Sequence, residues 1–185
     1  YKSSVVAGNI GIPFSKFVLE ELINPVKNRF YILEVSSFQL EFIKNFKPEV
    51  SIYTNISPDH LDRHKTMSEY ISMKLRMIEN MDSSGFIIYK LNDKILKSKF
   101  KNSDLNTIPI DIYSTKNQYY VKNNYLYKHN KKILKMESFN LIGEHNYLNL
   151  IAAMTCSSIF NIPIKKAKEA ICNFNFIEHR QELVK

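Results

Sequence analysis

The chain has 185 residues, with 26 lysines and arginines against 18 aspartates and glutamates, a formal net charge of +8. Its hydrophobic content of 44% excludes a disordered or collagen-like polymer, and the length suits one α/β domain with a real core. No apolar run approaches the roughly 18 residues of a membrane span, and no signal-peptide pattern stands at Tyr1.

Residues 3–7 read as a short strand, turned by Gly8-Asn9-Ile10-Gly11, with Pro13 opening a helix to about residue 22. Residues 30–33 read as a second strand ending at Glu34, and 36–46 include helix. Residues 50–56 form a third strand, followed by a loop over 57–65 and a helix over 66–81. Residues 85–91 make a fourth strand, and 93–100 a short helix. Residues 107–140 hold several short β patterns rich in Tyr, Asn and Lys. Two helices close the order, at 145–160 and 164–174, joined at Pro163. Strands alternating with helices predict an α/β fold, a mostly parallel sheet with helices on both faces.

Charge alone points to nucleic acid. However, 22 of the basic residues are lysine and only four arginine, and the lysines are scattered. With 19 asparagines and 23 isoleucines, the bias reads as that of an AT-rich genome. A phosphate-reading surface favours arginine, so no nucleic-acid partner is expected. Cys156 and Cys172 form no C-x-x-C pair and fit a reducing cytoplasm, with Cys156 as a small core residue.

Ligands of such sheets bind beyond the carboxyl ends of the strands, which directs attention to Gly8–Gly11, Glu34–Gln39 and Asn55–His64. Glu34 directly follows the apolar run Tyr31-Ile32-Leu33. A carboxylate buried at that depth must be paired or bind a cation such as Mg²⁺; the alternative is a solvated charge at a strand end. The segment from Asn55 to His64 packs two acids, two histidines and an arginine after a strand. It suits metal or phosphate chemistry, or equally a polar loop capped by Ser57 or Asp59; the His60-x3-His64 spacing suggests zinc, but such a site also needs a third ligand, and Pro58 marks a helix start rather than a helix interior. On the helix over 66–81, Lys74 falls at the centre of the apolar stripe formed by Met67, Tyr70, Ile71, Met73, Leu75, Met77, Ile78 and Met81. A lysine there is costly unless neutralised, paired or modified. One outcome is a free amine that reacts with CO₂ to give a carboxylate-like carbamate; the other is a snorkelling ammonium. Asn146 and Asn149 are neighbours one helical turn apart, able to read a planar heterocycle, or to cap and face solvent. His179-Arg180 could clamp phosphate.

The segments AGNIG (7–11), LEVSSFQLE (33–41), KPEVSIYTNISPDHLDRH (47–64), YISMKLRMIEN (70–80), GEHNYLN (143–149) and HR (179–180) occur in that order. Together they resemble the Mur ligases, and SSFQLE and GNIG resemble the branch that adds D-glutamate. The resemblance implies the central ATP-binding domain of a P-loop-type ligase over residues 1–177, with 178–185 as a linker and the start of a C-terminal domain. It implies an ATP-dependent acid–amino-acid ligase of peptidoglycan synthesis, monomeric and cytoplasmic. Its partners would be UDP-N-acetylmuramoyl-L-alanine and D-glutamate, joined through an acyl phosphate. By motif, Glu34, His60 and a carbamylated Lys74 would hold Mg²⁺, with Lys74 and His60 serving catalysis. Asn9, Ser36 and Gln39 would contact the UDP-sugar; Asn146, Asn149 and Arg180 would bind ATP. The family's phosphate loop lies upstream of AGNIG, and the 185 residues hold no G-x-x-x-x-G-K-[ST]. The chain therefore reads as an N-terminally truncated fragment, inactive alone. The alternatives are another ligase of this type, similar to folylpolyglutamate synthase, or a non-enzymatic basic α/β binding module.

Overall fold

A computed structural model describes residues 3–59, 61–141 and 143–174. The described residues divide into two units. One holds those up to Lys47 together with Pro58–Asn80; the other holds Pro48–Ser57 and those from Met81 onward.

In the first unit, β1 (Ser4–Gly8) and β2 (Phe30–Glu34) pair in parallel, from Ser4 opposite Phe30 to Gly8 opposite Glu34. The crossover is α1 (Phe14–Ile23), which Pro13 precedes with φ −59°, an angle its ring presets for helix entry. An ion pair of 3.0 Å from Arg29 to Glu21 ties the end of α1 to the approach to β2. The short α2 (Ser37–Leu40) is followed by α3 (Leu61–His64) and α4 (Met67–Leu75). Thr66 caps α4, its side chain accepting the Glu69 amide. The helix predicted over 66–81 does not run on as α-helix, because Arg76–Ile78 tighten into a 3₁₀ turn. There the Arg76 guanidinium donates to the carbonyls of Leu40, Glu41 and Ile43, and the Asn80 amide to those of Lys44 and Phe46. These bonds satisfy the backbone that α2 leaves behind.

In the second unit, β3 (Val50–Tyr53), β4 (Phe86–Lys90) and β5 (Asn106–Ile110) form a parallel sheet in that order. Asp93 caps α5 (Lys94–Phe100): one carboxylate oxygen accepts the Ile95 and Leu96 amides at 2.9 and 3.0 Å. The other accepts the amide of Ile56, beyond the end of β3, at 2.8 Å. Asp93→Ala is expected to cost about 2 kcal/mol, since a helix cap is lost and a part-buried amide is orphaned together. Urea unfolding checks this, and an unshifted midpoint contradicts it.

Residues 119–135 depart from the mostly parallel expectation. β6 (Tyr119–Lys122), β7 (Tyr125–Lys128) and β8 (Lys131–Lys135) form an antiparallel meander. Asn123 and Asn124 turn the first hairpin with φ of 46° and 61°, and His129 the second with 51°. The left-handed pair Asn123–Asn124 matches the twist of its flanking strands. The meander packs Tyr119, Val121, Leu126 and Leu134 into one core with Ile88, Ile110 and the helix α6 (Glu144–Ile159). The last helix, α7 (Ile164–Cys172), follows Pro163. Cys156 is half-buried, and burial raises its thiol pKa. The expected domain boundary at residue 178 lies outside the described residues.

Candidate functional site

The first cluster of candidates gathers at the carboxyl ends of β1 and β2. Gly8 has φ +119°, and a Cβ there would lie 2.1 Å from the Glu34 carbonyl oxygen, so only glycine lets the two strand ends close this tightly. The amide of Asn9 donates to that same carbonyl at 2.8 Å, and the Gly8 amide donates to Ile12 at 3.1 Å, folding the turn back. Asn9 and Glu34 are thereby brought side by side.

Glu34 is exposed, which corrects the expectation of a buried charge. That expectation took Phe30–Leu33 for a strand covered on both faces, whereas Ile32 is 56% and its neighbour Val6 is 66% exposed. Glu34 is thus a solvated strand-end carboxylate.

Ser36 and Gln39 form a reciprocal cap at the start of α2. The Ser36 hydroxyl oxygen accepts the Gln39 amide, while Gln39 Oε1 accepts the Ser36 amide at 3.0 Å. The cap uses Gln39 Oε1 and leaves its Nε2 for other partners.

Lys74 sits in the last turn of α4 and is half-buried, not at the centre of a buried stripe. The 3₁₀ turn at Arg76–Ile78 changes the helical phase of Met77 and Ile78, and Met81 lies beyond the helix. Lys74 Nζ lies 5.3 Å from the centre of the buried Tyr70 ring, a cation–π contact that accommodates the ammonium. This geometry suits a snorkelling lysine, one of the two outcomes the sequence leaves open.

His64 is a core residue, 3% exposed, with Nε2 2.9 Å from the Ser37 hydroxyl and its ring stacked on Phe38 at 5.4 Å. That nitrogen is occupied, which removes His64 as the second half of a zinc pair through Nε2. His60 and Arg180 lie outside the described residues. Among the described residues no group of three His, Cys, Asp or Glu side chains could hold a metal. The sequence reading assigns no site role to Ser37 or Tyr70. Tyr70 carried a signal, standing four residues before Lys74 on one helix face.

The second cluster is the start of α6. Gly143 leads into it with φ +107°. Asn146 is buried at 8%, whereas Asn149 is exposed in line with His145 and Ala153. The two asparagines therefore border one face at different depths. The Tyr113 hydroxyl donates to Glu144 at 2.8 Å, and that carboxylate raises the phenol's pKa.

Among curated relatives, the UDP-N-acetylmuramoylalanine–D-glutamate ligase of Caldanaerobacter subterraneus subsp. tengcongensis is 36% identical over 97% of this chain and 39% of its own length. That of Caldicellulosiruptor bescii is 33% identical over 100% of this chain and 41% of its own. The chain thus spans about two fifths of the curated relatives it matches. Of solved structures, MurF from Acinetobacter baumannii aligns over 100% of this chain and 48% of its own at TM-score 0.65 and 11% identity. A UDP-N-acetylmuramate:L-alanyl-γ-D-glutamyl-meso-diaminopimelate ligase from Neisseria meningitides aligns over 96% of this chain and 68% of its own, at TM-score 0.64 and 15% identity. These two likenesses concern the fold. The Mur ligase middle domain matches residues 13–157, a span that contains the β2 strand end, α2 to α4 and most of α6, and on that match the chain belongs to the Mur ligase middle domain family.

Proposed function

We propose that this chain serves an ATP-dependent ligase that joins D-glutamate to UDP-N-acetylmuramoyl-L-alanine in peptidoglycan synthesis, as a cytoplasmic monomer. The observation that carries the reading is the likeness, at 32–36% identity over nearly the whole chain, to relatives that bear that ligase name. In the proposed reaction an L-alanine carboxylate oxygen attacks the terminal phosphorus of ATP and ADP leaves. The amine of D-glutamate then attacks the acyl carbon, phosphate leaves, and the amine's proton passes to solvent.

Asn9, Ser36 and Gln39 would hold the UDP-sugar. Gln39 would do so through Nε2, since its Oε1 closes the helix cap. Asn149 and the shallower edge of Asn146 would meet adenine, and Arg180 the nucleotide. The exposed carboxylate of Glu34 suits a hard cation, as oxygen donors do for Mg²⁺. His60 would join it. The Lys74 ammonium is no ligand; its neutral amine adding CO₂ and releasing one proton would yield a carbamate that is. Magnesium bound there would offset the charge on the transferring phosphoryl group.

The test supplies the intact enzyme with ATP, Mg²⁺, UDP-N-acetylmuramoyl-L-alanine and a panel of amino acids. Phosphate release that depends on D-glutamate, with a product heavier by one glutamyl residue, is the expected result. Turnover only with another acceptor overturns the assignment. The 185 residues alone are expected to release no phosphate.

A further inference from the structure

We propose that His64 is a positioning residue that locks the turn bearing Ser36 and Gln39 to the helix bearing Lys74, an inference that rests on the ligase reading above. His64 ends α3, yet its ring touches side chains of two other helices. Through Nε2 it meets the Ser37 hydroxyl at 2.9 Å, and Ser37 stands between Ser36 and Phe38 on α2. Its face stacks on Phe38 at 5.4 Å with the planes only 15° apart. Its ring also lies 5.5 Å from that of Tyr70 on α4, and it is over Tyr70 that the Lys74 ammonium rests. Ser37, His64 and Tyr70 are all buried, at 2%, 3% and 4% exposure. One imidazole therefore contacts the immediate neighbour of each proposed substrate-binding residue on α2 and the aromatic support of the lysine. A buried hydrogen-bonded ring of this kind has few alternative arrangements, because any shift leaves a buried hydroxyl or ring nitrogen unsatisfied. Arg63 reinforces the arrangement from outside, its guanidinium 4.7 Å from the Phe38 ring centre and ion-paired to Glu41 at 2.9 Å.

A purely structural histidine would change how much enzyme folds while leaving the constants of the folded fraction alone. A positioning histidine moves those constants. The experiment measures KM for UDP-N-acetylmuramoyl-L-alanine and kcat in the intact ligase, per mole of folded protein. His64→Ala, which frees both helices, is expected to raise KM about tenfold and lower kcat about tenfold. Ser37→Ala cuts only the hydrogen bond to α2 and keeps the Phe38 stack; it is expected to raise KM about fivefold and to move kcat less. Ser37→Thr, which keeps the hydroxyl, restores KM. Folded His64→Ala and Ser37→Ala enzymes with wild-type constants overturn the proposal. Should His64→Ala fail to fold, the Ser37→Ala and Ser37→Thr pair decides alone. A wild type that turns over a different amino acid overturns the D-glutamate assignment instead, and the same variants on that substrate still decide the role of His64.

Discussion

Gly8→Ala is expected to destabilise the first unit by about 3 kcal/mol or more and to abolish ligation in the intact enzyme. Two costs fall on one methyl group. A side chain at φ +119° occupies backbone space that L-residues rarely enter, and its Cβ would meet the Glu34 carbonyl oxygen at 2.1 Å. The obstacle is backbone, so no rotamer change relieves it. The strand ends must part, and the bond from the Asn9 amide to Glu34 opens with them. That displaces a proposed substrate contact and a proposed metal ligand at once. Urea unfolding and phosphate release measure the two effects. A variant with the wild-type midpoint and turnover shows that the closed turn is dispensable.

Lys74→Ala in the intact ligase is expected to lower kcat on the order of 10²- to 10³-fold, the usual scale when one electrostatic support of a transition state is removed. If the working species is the carbamate, short carboxylates such as formate or acetate partly restore turnover by supplying the missing oxygens. A loss of turnover without rescue assigns the work to the ammonium that lies over Tyr70. Unchanged turnover removes Lys74 from the chemistry altogether.

These two positions differ in how far sequence reveals them. The Gly8 turn was legible, since a glycine after an apolar run and before Asn9 asks for a sharp reversal beside a strand end. The helix entry at Pro13 was legible for the same local reason, whereas the N-cap at Thr66 was not: the sequence places Thr66 inside the helix. The exposure of Glu34 was not legible either. Whether a strand is covered depends on what flanks it, and the string Phe30–Leu33 reads the same with or without neighbours. A helical wheel overstates the burial of Lys74 because it treats 66–81 as one unbroken helix, whereas Arg76–Ile78 form a 3₁₀ turn held by long-range bonds from Arg76 to the carbonyls of Leu40, which ends α2, and Ile43 beyond it. The meander was half legible: its short β patterns were visible. Their antiparallel pairing was not, since it turns on Asn123, Asn124 and His129 accepting left-handed angles without a glycine. Spacing sets His64 beside His60, while its actual partner, Ser37, stands 27 positions earlier.

The way the two units share the polypeptide bears on how the molecule is made. β6 to β8 pair between near neighbours in the chain, so the meander closes small loops and can form early. β3 reaches β4 only across α3 and α4, which belong to the other unit. Because neither unit is one continuous stretch, assembly of each awaits residues emitted later from the ribosome, and a protease cut between Ser57 and Pro58 would sever both at once.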